Sequence, residues 1–358
     1  MESSAVPAVD EGRLHEFMGK AVVDMGAMIS GPLCVIGEKL GLYKAMAGAG
    51  PLTSEQLAER SGVAERSVRE WLRNQAAGGY VEYDPAADTY SLSPEQALAL
   101  ADEESPVYLL GAFDLIASLY ADEDKILEAF QSGDGMGWHE HDKRLFHGTE
   151  RFFRPGYRAH LTTEWIPALD GVEDKLREGA KVADVGCGHG ASTIIMADAY
   201  PNSEFHGFDY HDGSIERARE AAGEAGLDGR VSFEVASAKD FPGSGYDLIT
   251  FFDCLHDMGD PVGASAHALE ALAEDGTAMI VEPFAGDSVD ENLNPVGRLF
   301  YGASTMICTP ASLSQDVGLA LGAQAGQGSI SEVVESAGFG SMRRAAETPF
   351  NLVLEAKP

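Results

Sequence analysis

In the second half of the chain, short apolar runs alternate with segments whose apolar residues recur every three or four positions. Lys181–Val185, Glu204–Phe208, Val231–Val235, Tyr246–Phe252 and Thr277–Val281 read as strands. Ala191–Tyr200, Ser214–Ala225 and Val262–Leu272 read as helices. Strand and helix in alternation predict a parallel sheet with helices on both faces. Ligands of such sheets bind beyond the carboxyl ends of the strands, near the point where strand order reverses.

The first third has a different rhythm. Residues 30–48 place Leu33, Ile36, Leu40 and Leu42 near helical spacing. Thr53 or Ser54 is placed to cap a second helix, with Glu55 or Gln56 completing a capping box. The helix Ala64–Ala77 carries Val68, Trp71 and Leu72 inward and stops at Gly78-Gly79. Two short strands, Tyr80–Tyr83 and Thr89–Leu92, flank the turn Asp84-Pro85-Ala86-Ala87-Asp88. Helix, turn, helix and hairpin is the order of a winged helix, whose second helix reads DNA in many proteins. Here Arg66, Arg69 and Arg73 stand among Glu65 and Glu70, and Gly48–Leu100 holds four arginines against eight acidic residues. A phosphate-binding face is positive, so packing or dimerisation is the expected use of this region.

Between these regions the chain is mostly helical. Pro106–Phe130 is apolar at helical spacing, and Met136–Trp165 is rich in aromatics and histidine. That second stretch is either a core-filling layer or a cap over an apolar pocket. His139 and His141, two apart, would lie on different faces of a helix, and no metal site is expected there.

At 358 residues the chain exceeds what one core usually serves. The expected division is a helical winged-helix domain (1–100), a helical connector and cap (101–170), and an α/β domain (171–358). No apolar run is read as long enough to span a bilayer. Met1–Arg13 is acidic and polar, unlike a signal peptide, which makes the cytoplasm the expected location. Cys34, Cys187, Cys254 and Cys308 stand far apart and suggest neither a zinc site nor disulfides. A net charge of −33 repels phosphate backbones and anionic lipids, so neither nucleic acid nor membrane is an expected partner.

The candidate chemistry sits after the first strand. Asp184-Val185-Gly186-Cys187-Gly188-His189-Gly190 is a G-x-G-x-G loop, in which Gly186, Gly188 and Gly190 let the backbone bend sharply and approach a ligand. Asp209 ends the next strand, where a carboxylate can accept both hydroxyls of a ribose.

With VADVGCGHG (182–190), FHGFD (205–209), VSFEVAS (231–237), YDLITFFDCLHDMGDP (246–261) and GTAMIVEP (276–283), the chain resembles the class I S-adenosylmethionine-dependent methyltransferases. The helix-like ISEVVESAG (330–338) and two closing strands, Ser341–Ala346 and Asn351–Ala356, extend the resemblance over roughly 175–356. With the winged-helix front, the layout looks like the two-domain small-molecule O-methyltransferases, which are homodimers joined through that front domain. The resemblance implies a Rossmann-like domain with a seven-stranded, mostly parallel sheet whose last strand is antiparallel. It implies S-adenosyl-L-methionine as cofactor and a small-molecule acceptor.

It also implies residue roles. Asp184, Gly186, Gly188 and Gly190 match the motif at the methionine end of the cofactor, and Asp209 matches the acid that holds the ribose. Ser237 and Ala238 fall where the family flanks the adenine, with Ser237 in place of a frequent acid. Phe252 and Asp253 fall near the methionine moiety. His256 matches the family's general base and Asp257 follows it, with Met258 standing where the relatives have tryptophan. Imidazole suits deprotonation of a phenol or carboxylic acid during attack on a methyl sulfonium. Two other readings stay open. One is a regulator that uses the fold as a ligand sensor; the other is methylation on carbon or nitrogen. Residues 284–328 form an insertion that is either pocket wall or surface packing.

Overall fold

The computed structural model describes residues 9–227 and 229–358; of the acidic stretch Met1–Arg13, residues 1–8 lie outside the described residues. The chain divides into two compact units, Met1–Ala117 and Ser118–Pro358. Most of the stretch expected as a connector, 101–170, is therefore built into the second unit.

In the first unit a 29-residue helix, Glu11–Lys39, starts on the Asp10 side chain, which accepts a hydrogen bond from the Arg13 N–H at 3.0 Å. Gly41, at φ 67°, breaks it from the short helix Leu42–Met46. The helix Ser54–Ser61 begins with the expected capping box between Thr53 and Gln56. The helix Glu65–Ala77 follows, then antiparallel β1 (Glu82–Asp84) and β2 (Thr89–Ser91). Trp71 docks the second of these helices on the long one. Its indole N–H donates to the Leu33 carbonyl at 2.8 Å, and its ring fills the space beside Gly37, where a Cβ would sit 2.5 Å from it. The arginines of Glu65–Ala77 are spent on their neighbours: Arg66 and Arg73 pair with Glu70, and Arg69 with Glu65, at 2.7–3.0 Å.

The long helix departs from the sequence reading. By length and composition alone it could cross a bilayer, although no such run was expected. Lys20 and Asp24 interrupt its apolar run, and they satisfy each other one turn apart at 2.7 Å. Phe17, Val22 and Ile29 are each more than half exposed.

The second unit is built on a seven-stranded sheet of β3 (Lys181–Val185), β4 (Glu204–Asp209), β5 (Val231–Val235), β6 (Tyr246–Phe252), β7 (Leu272–Pro283), β8 (Ser341–Glu347) and β9 (Asn351–Lys357), in the order β5-β4-β3-β6-β7-β9-β8. From β5 to β7 every pairing is parallel. The last strand in sequence, β9, runs antiparallel between β7 and β8. Apolar clusters cover both faces, one around Ile249, Ile280 and Leu354 and the other around Leu248, Met279 and Val353. Neighbours in one strand thus point into opposite cores, as the period of two requires. Strand order reverses between β3 and β6, so the crevice of such a sheet opens there.

Gly190 and Gly207 make room for one ring. A Cβ at either would lie within 2.6 Å of Phe233, and Gly190 also holds φ 78°. Gly190→Ala is therefore expected to cost about 1–3 kcal/mol through overpacking and backbone strain, read as a lower urea midpoint at unchanged slope.

Candidate active site

At the reversal point lies a cavity of about 550 Å³. Its floor is the turn after β3, drawn onto β4 by the N–H groups of Gly186 and Cys187, which both donate to the Phe208 carbonyl at 2.8 and 3.0 Å. Gly186 and Gly188 face the cavity with φ of 76° and 52°. A Cβ at Gly186 would strike Cys254 Sγ at 2.7 Å, and one at Gly188 would meet no atom within 4 Å. The backbone at Gly188 is thus open to a ligand.

Asp184 and Gly190 do not reach the cavity wall. Gly190 serves the packing of Phe233. Asp184 is fully buried beneath the loop, where Ser192 Oγ and Thr193 Oγ1 donate to its Oδ2 at 2.7 and 2.5 Å and Thr250 Oγ1 to its Oδ1 at 3.0 Å. Burial still pushes its carboxyl above the usual range, against these hydroxyls. Asp184 ties the loop to the first turn of the helix Ala191–Ala199 and to β6.

Asp209 lines the cavity beside this turn. Gly188 N–H donates to its Oδ2 at 3.0 Å and His211 N–H to its Oδ1 at 2.9 Å, while burial raises its pKa. Ser237, Ala238, Phe252 and Asp253 also line the cavity. Lys239, on the same wall, is held by Asp260 at 3.3 Å. A carboxylate beside the open backbone of Gly188 fits a ribose and the adjoining part of an adenosyl group.

Asp253 takes φ 49°, the left-handed region, as β6 ends. Tyr157 O–H donates to its Oδ2 at 2.7 Å, and Asn351 Nδ2 to its Oδ1 at 3.2 Å. The next turn, Leu255–Asp257, separates the two residues expected to act together. Asp257 lines the cavity, and its Oδ2 accepts from the Trp138 indole N–H at 3.0 Å. His256, 3 % exposed, lies behind it and off the wall. One ring nitrogen, Nδ1, meets Glu282 Oε2 in an ion pair; the other, Nε2, lies 3.2 Å from Asp257 Oδ1. Burial alone would lower the imidazole's pKa, but Glu282, Asp257 and the adjoining Cys308 overcome it and raise it well above the usual value. The ring lies between two carboxylates, away from the cavity wall.

Glu282 was not singled out from the sequence. A lone acid at the end of an apolar strand, level with the ends of β3 and β6, was the available signal. Burial raises the Cys308 thiol to about 12. His256, Asp257 and Cys308 bring polar atoms within 4.8 Å of one another. His139 and His141 do not converge: His141 is buried against Asp122 at 3.1 Å, whereas His139 is exposed.

The aromatic stretch proves to be cavity wall, with Trp138, Phe146, Phe153 and Tyr157 facing inward and Phe146 stacked on His211 at 4.7 Å between centroids. The insertion 284–328 contributes Gln315 and Asp316 to the wall. It also braces the 255–258 turn, where Gln315 Nε2 donates to the Asp257 carbonyl at 3.0 Å and Ser312 Oγ to that of Met258 at 2.8 Å.

Residues 176–336 match the family described as "Methyltransferase domain", and residues 28–102 the "Rv2258c-like winged HTH domain". The 27-O-demethylrifamycin SV methyltransferase of Amycolatopsis mediterranei is 30% identical over 157 residues, 43% of this chain and 49% of that protein. The chain spans about half the length of the curated relatives it matches. Two solved structures share the fold at low identity. Mitomycin 7-O-methyltransferase MmcR has a TM-score of 0.69 at 18% identity, covering 98% of this chain and 100% of that one. Human N-acetylserotonin methyltransferase in complex with SAM has 0.64 at 15%, covering 100% and 99%. The chain thus joins a Rv2258c-like winged helix-turn-helix domain to a methyltransferase domain of the class I fold.

Proposed function

We propose that this chain is an S-adenosylmethionine-dependent methyltransferase acting on an oxygen of a small molecule. The observation that carries the reading is the cradle of Gly188 backbone and Asp209 carboxylate at the floor of a cavity whose far wall holds Asp257. S-adenosylmethionine supplies a methyl group already activated by its positive sulfur, so the protein's task is alignment and proton removal. Asp209 would hold the ribose, with Ser237 and Ala238 beside the adenine and Phe252 and Asp253 at the methionine end. Trp138, Phe146 and Phe153 exclude water and hold an apolar acceptor against Asp257.

In this reading Asp257, rather than His256, meets the acceptor. His256 orients Asp257 from behind, its Nε2 3.2 Å from Oδ1, and Glu282 holds the other side of the ring. An acceptor hydroxyl hydrogen-bonded to Asp257 loses its proton as its oxygen attacks. General-base help of this kind is worth roughly 10²–10⁴ in rate. Methylation of nitrogen or carbon would use the same donor cradle. Arg66, Arg69 and Arg73 are paired with glutamates, so DNA binding is no part of the proposal.

The uncovered face of Glu11–Lys39 supports a homodimer. Phe17, Val22 and Ile29 expose apolar surface of the kind that subunit interfaces bury.

Titration calorimetry should show S-adenosylmethionine and S-adenosylhomocysteine binding, weakened at least tenfold by Asp209→Ala; a folded protein that binds neither ends the methyltransferase reading. On an acceptor found by screening phenols for S-adenosylhomocysteine release, Asp257→Asn should lower kcat about 10²-fold with donor affinity kept. Unchanged kcat removes Asp257 from the mechanism. Glu282→Gln leaves the buried imidazolium half-paired and should cost about 3–5 kcal/mol of stability. It should also lower the His256 pKa, as followed by NMR of the ring. In sedimentation velocity the wild-type chain should run as a dimer and Phe17→Asp/Val22→Asp as a monomer; a monomeric wild type would remove the interface.

A further inference from the structure

Asp253 follows the end of β6 and lines the same cavity as Asp209, which ends β4. The strand order β4-β3-β6 puts Asp209 on one side of the glycine turn and Asp253 on the other, and both line the same cavity. A non-glycine residue rarely adopts φ near +50°, and such strain gathers at functional sites. The bend is held by the Asp253 N–H, which donates to the Val281 carbonyl at 2.8 Å. Both carboxylate oxygens have neutral donors, Tyr157 from the helix Arg144–His160 and Asn351 from β9. Among the described residues no cation forms an ion pair with it.

The charged groups that face Asp253 are mostly of its own sign. Glu282 on β7 and Asp257 in the following turn oppose its ionisation, and the His256 imidazolium favours it. Burial is the largest influence, with Tyr157 the main counterweight, and together they raise the carboxyl to about 7. A carboxylate built with donors on both oxygens, but with no cation of its own, is a receptor for a positive ligand.

We propose that Asp253 is the anion that receives the positive end of the methyl donor, and that it releases its proton to solvent as the donor binds. The inference rests on the methyltransferase reading. A donor anchored through its ribose at Asp209 presents at β6 its sulfonium and its α-ammonium, and either cation favours the ionised carboxylate. Donor affinity then rises with pH through about 7, because below that value a proton must be displaced first.

The test is titration calorimetry of S-adenosylmethionine and S-adenosylhomocysteine at pH 6 and pH 8, each in two buffers of different ionisation enthalpy. Wild type is compared with Asp253→Asn. Asparagine tolerates the left-handed backbone, so this variant keeps the bend and removes only the titration. His189 and His211 line the same cavity, so the difference between wild type and variant is what is read. Wild type should release roughly nine-tenths of a proton per donor at pH 6 and about one-tenth at pH 8, with affinity about tenfold weaker at pH 6. Asp253→Asn should bind more weakly at pH 8 and lack this component. Release with S-adenosylmethionine alone assigns the contact to the sulfonium, and release with both ligands assigns it to the ammonium they share. Equal proton release and equal pH dependence in wild type and variant overturn the inference while leaving the methyltransferase reading intact. Binding of neither ligand overturns both.

Discussion

A carboxylate buried beneath the glycine turn sets the geometry on which the rest of the site depends. Asp184 has no exposure, and three hydroxyls from two different elements satisfy it. An unsatisfied charge at that depth would be far more costly than the bonds it makes, so Ser192, Thr193 and Thr250 must converge on one point. Their convergence fixes the start of the helix Ala191–Ala199 against β6, and the turn between β3 and that helix is left only one path. That path leaves Gly188 open to the cavity and places its N–H on Asp209. Gly188 offers its backbone there, while Asp184, Ser192, Thr193 and Thr250 are committed to one another below.

The same logic of enforced pairing shapes the acceptor side. Glu282, His256 and Asp257 would each be costly to bury alone. They are arranged in a row, and the residue at its end is the one that reaches the cavity. The bulk charge of −33 bears on a different scale: it disfavours anionic partners of the surface. Inside the cavity, the order of a few groups decides which atom is anionic. His256 and Asp257 are adjacent in sequence and differ in role because the turn 255–257 points one of them back toward β7.

The long N-terminal helix shows how composition and environment separate. Its apolar residues would suit a bilayer or a second protein surface equally, and the Lys20–Asp24 pair one turn apart allows either. What ties it to a soluble partner in our reading is its junction with the winged helix. Trp71 packs flat against Gly37 near the end of the long helix, so the apolar face continues from a folded core.

What could be read from the sequence follows the range of the forces involved. β3 and β6 begin and end where the apolar runs do, since burial on both faces writes itself directly into composition, and the edge strand β5 is marked instead by the alternation of Val231, Phe233 and Val235. The capping box at Thr53 was legible because it needs only residues three apart. Asp209 and Gly188 were legible as a pair because a short turn and one strand end can meet in few ways. Glu282, Tyr157 and Asn351 lie 26, 96 and 98 positions from the groups they hold, and no local pattern marks them. Their partners could be known only once the sheet order brought β7, β9 and the helix Arg144–His160 to one end of β6. Whether a histidine after a strand is a base or a buried cation depends on such distant neighbours, so residue type and spacing could locate His256 but could not assign its protonation. Asp253 makes the same point from the other side, because a carboxyl near neutral pKa arises from the depth of its burial and from two acids, and one of them, Glu282, is far off in sequence.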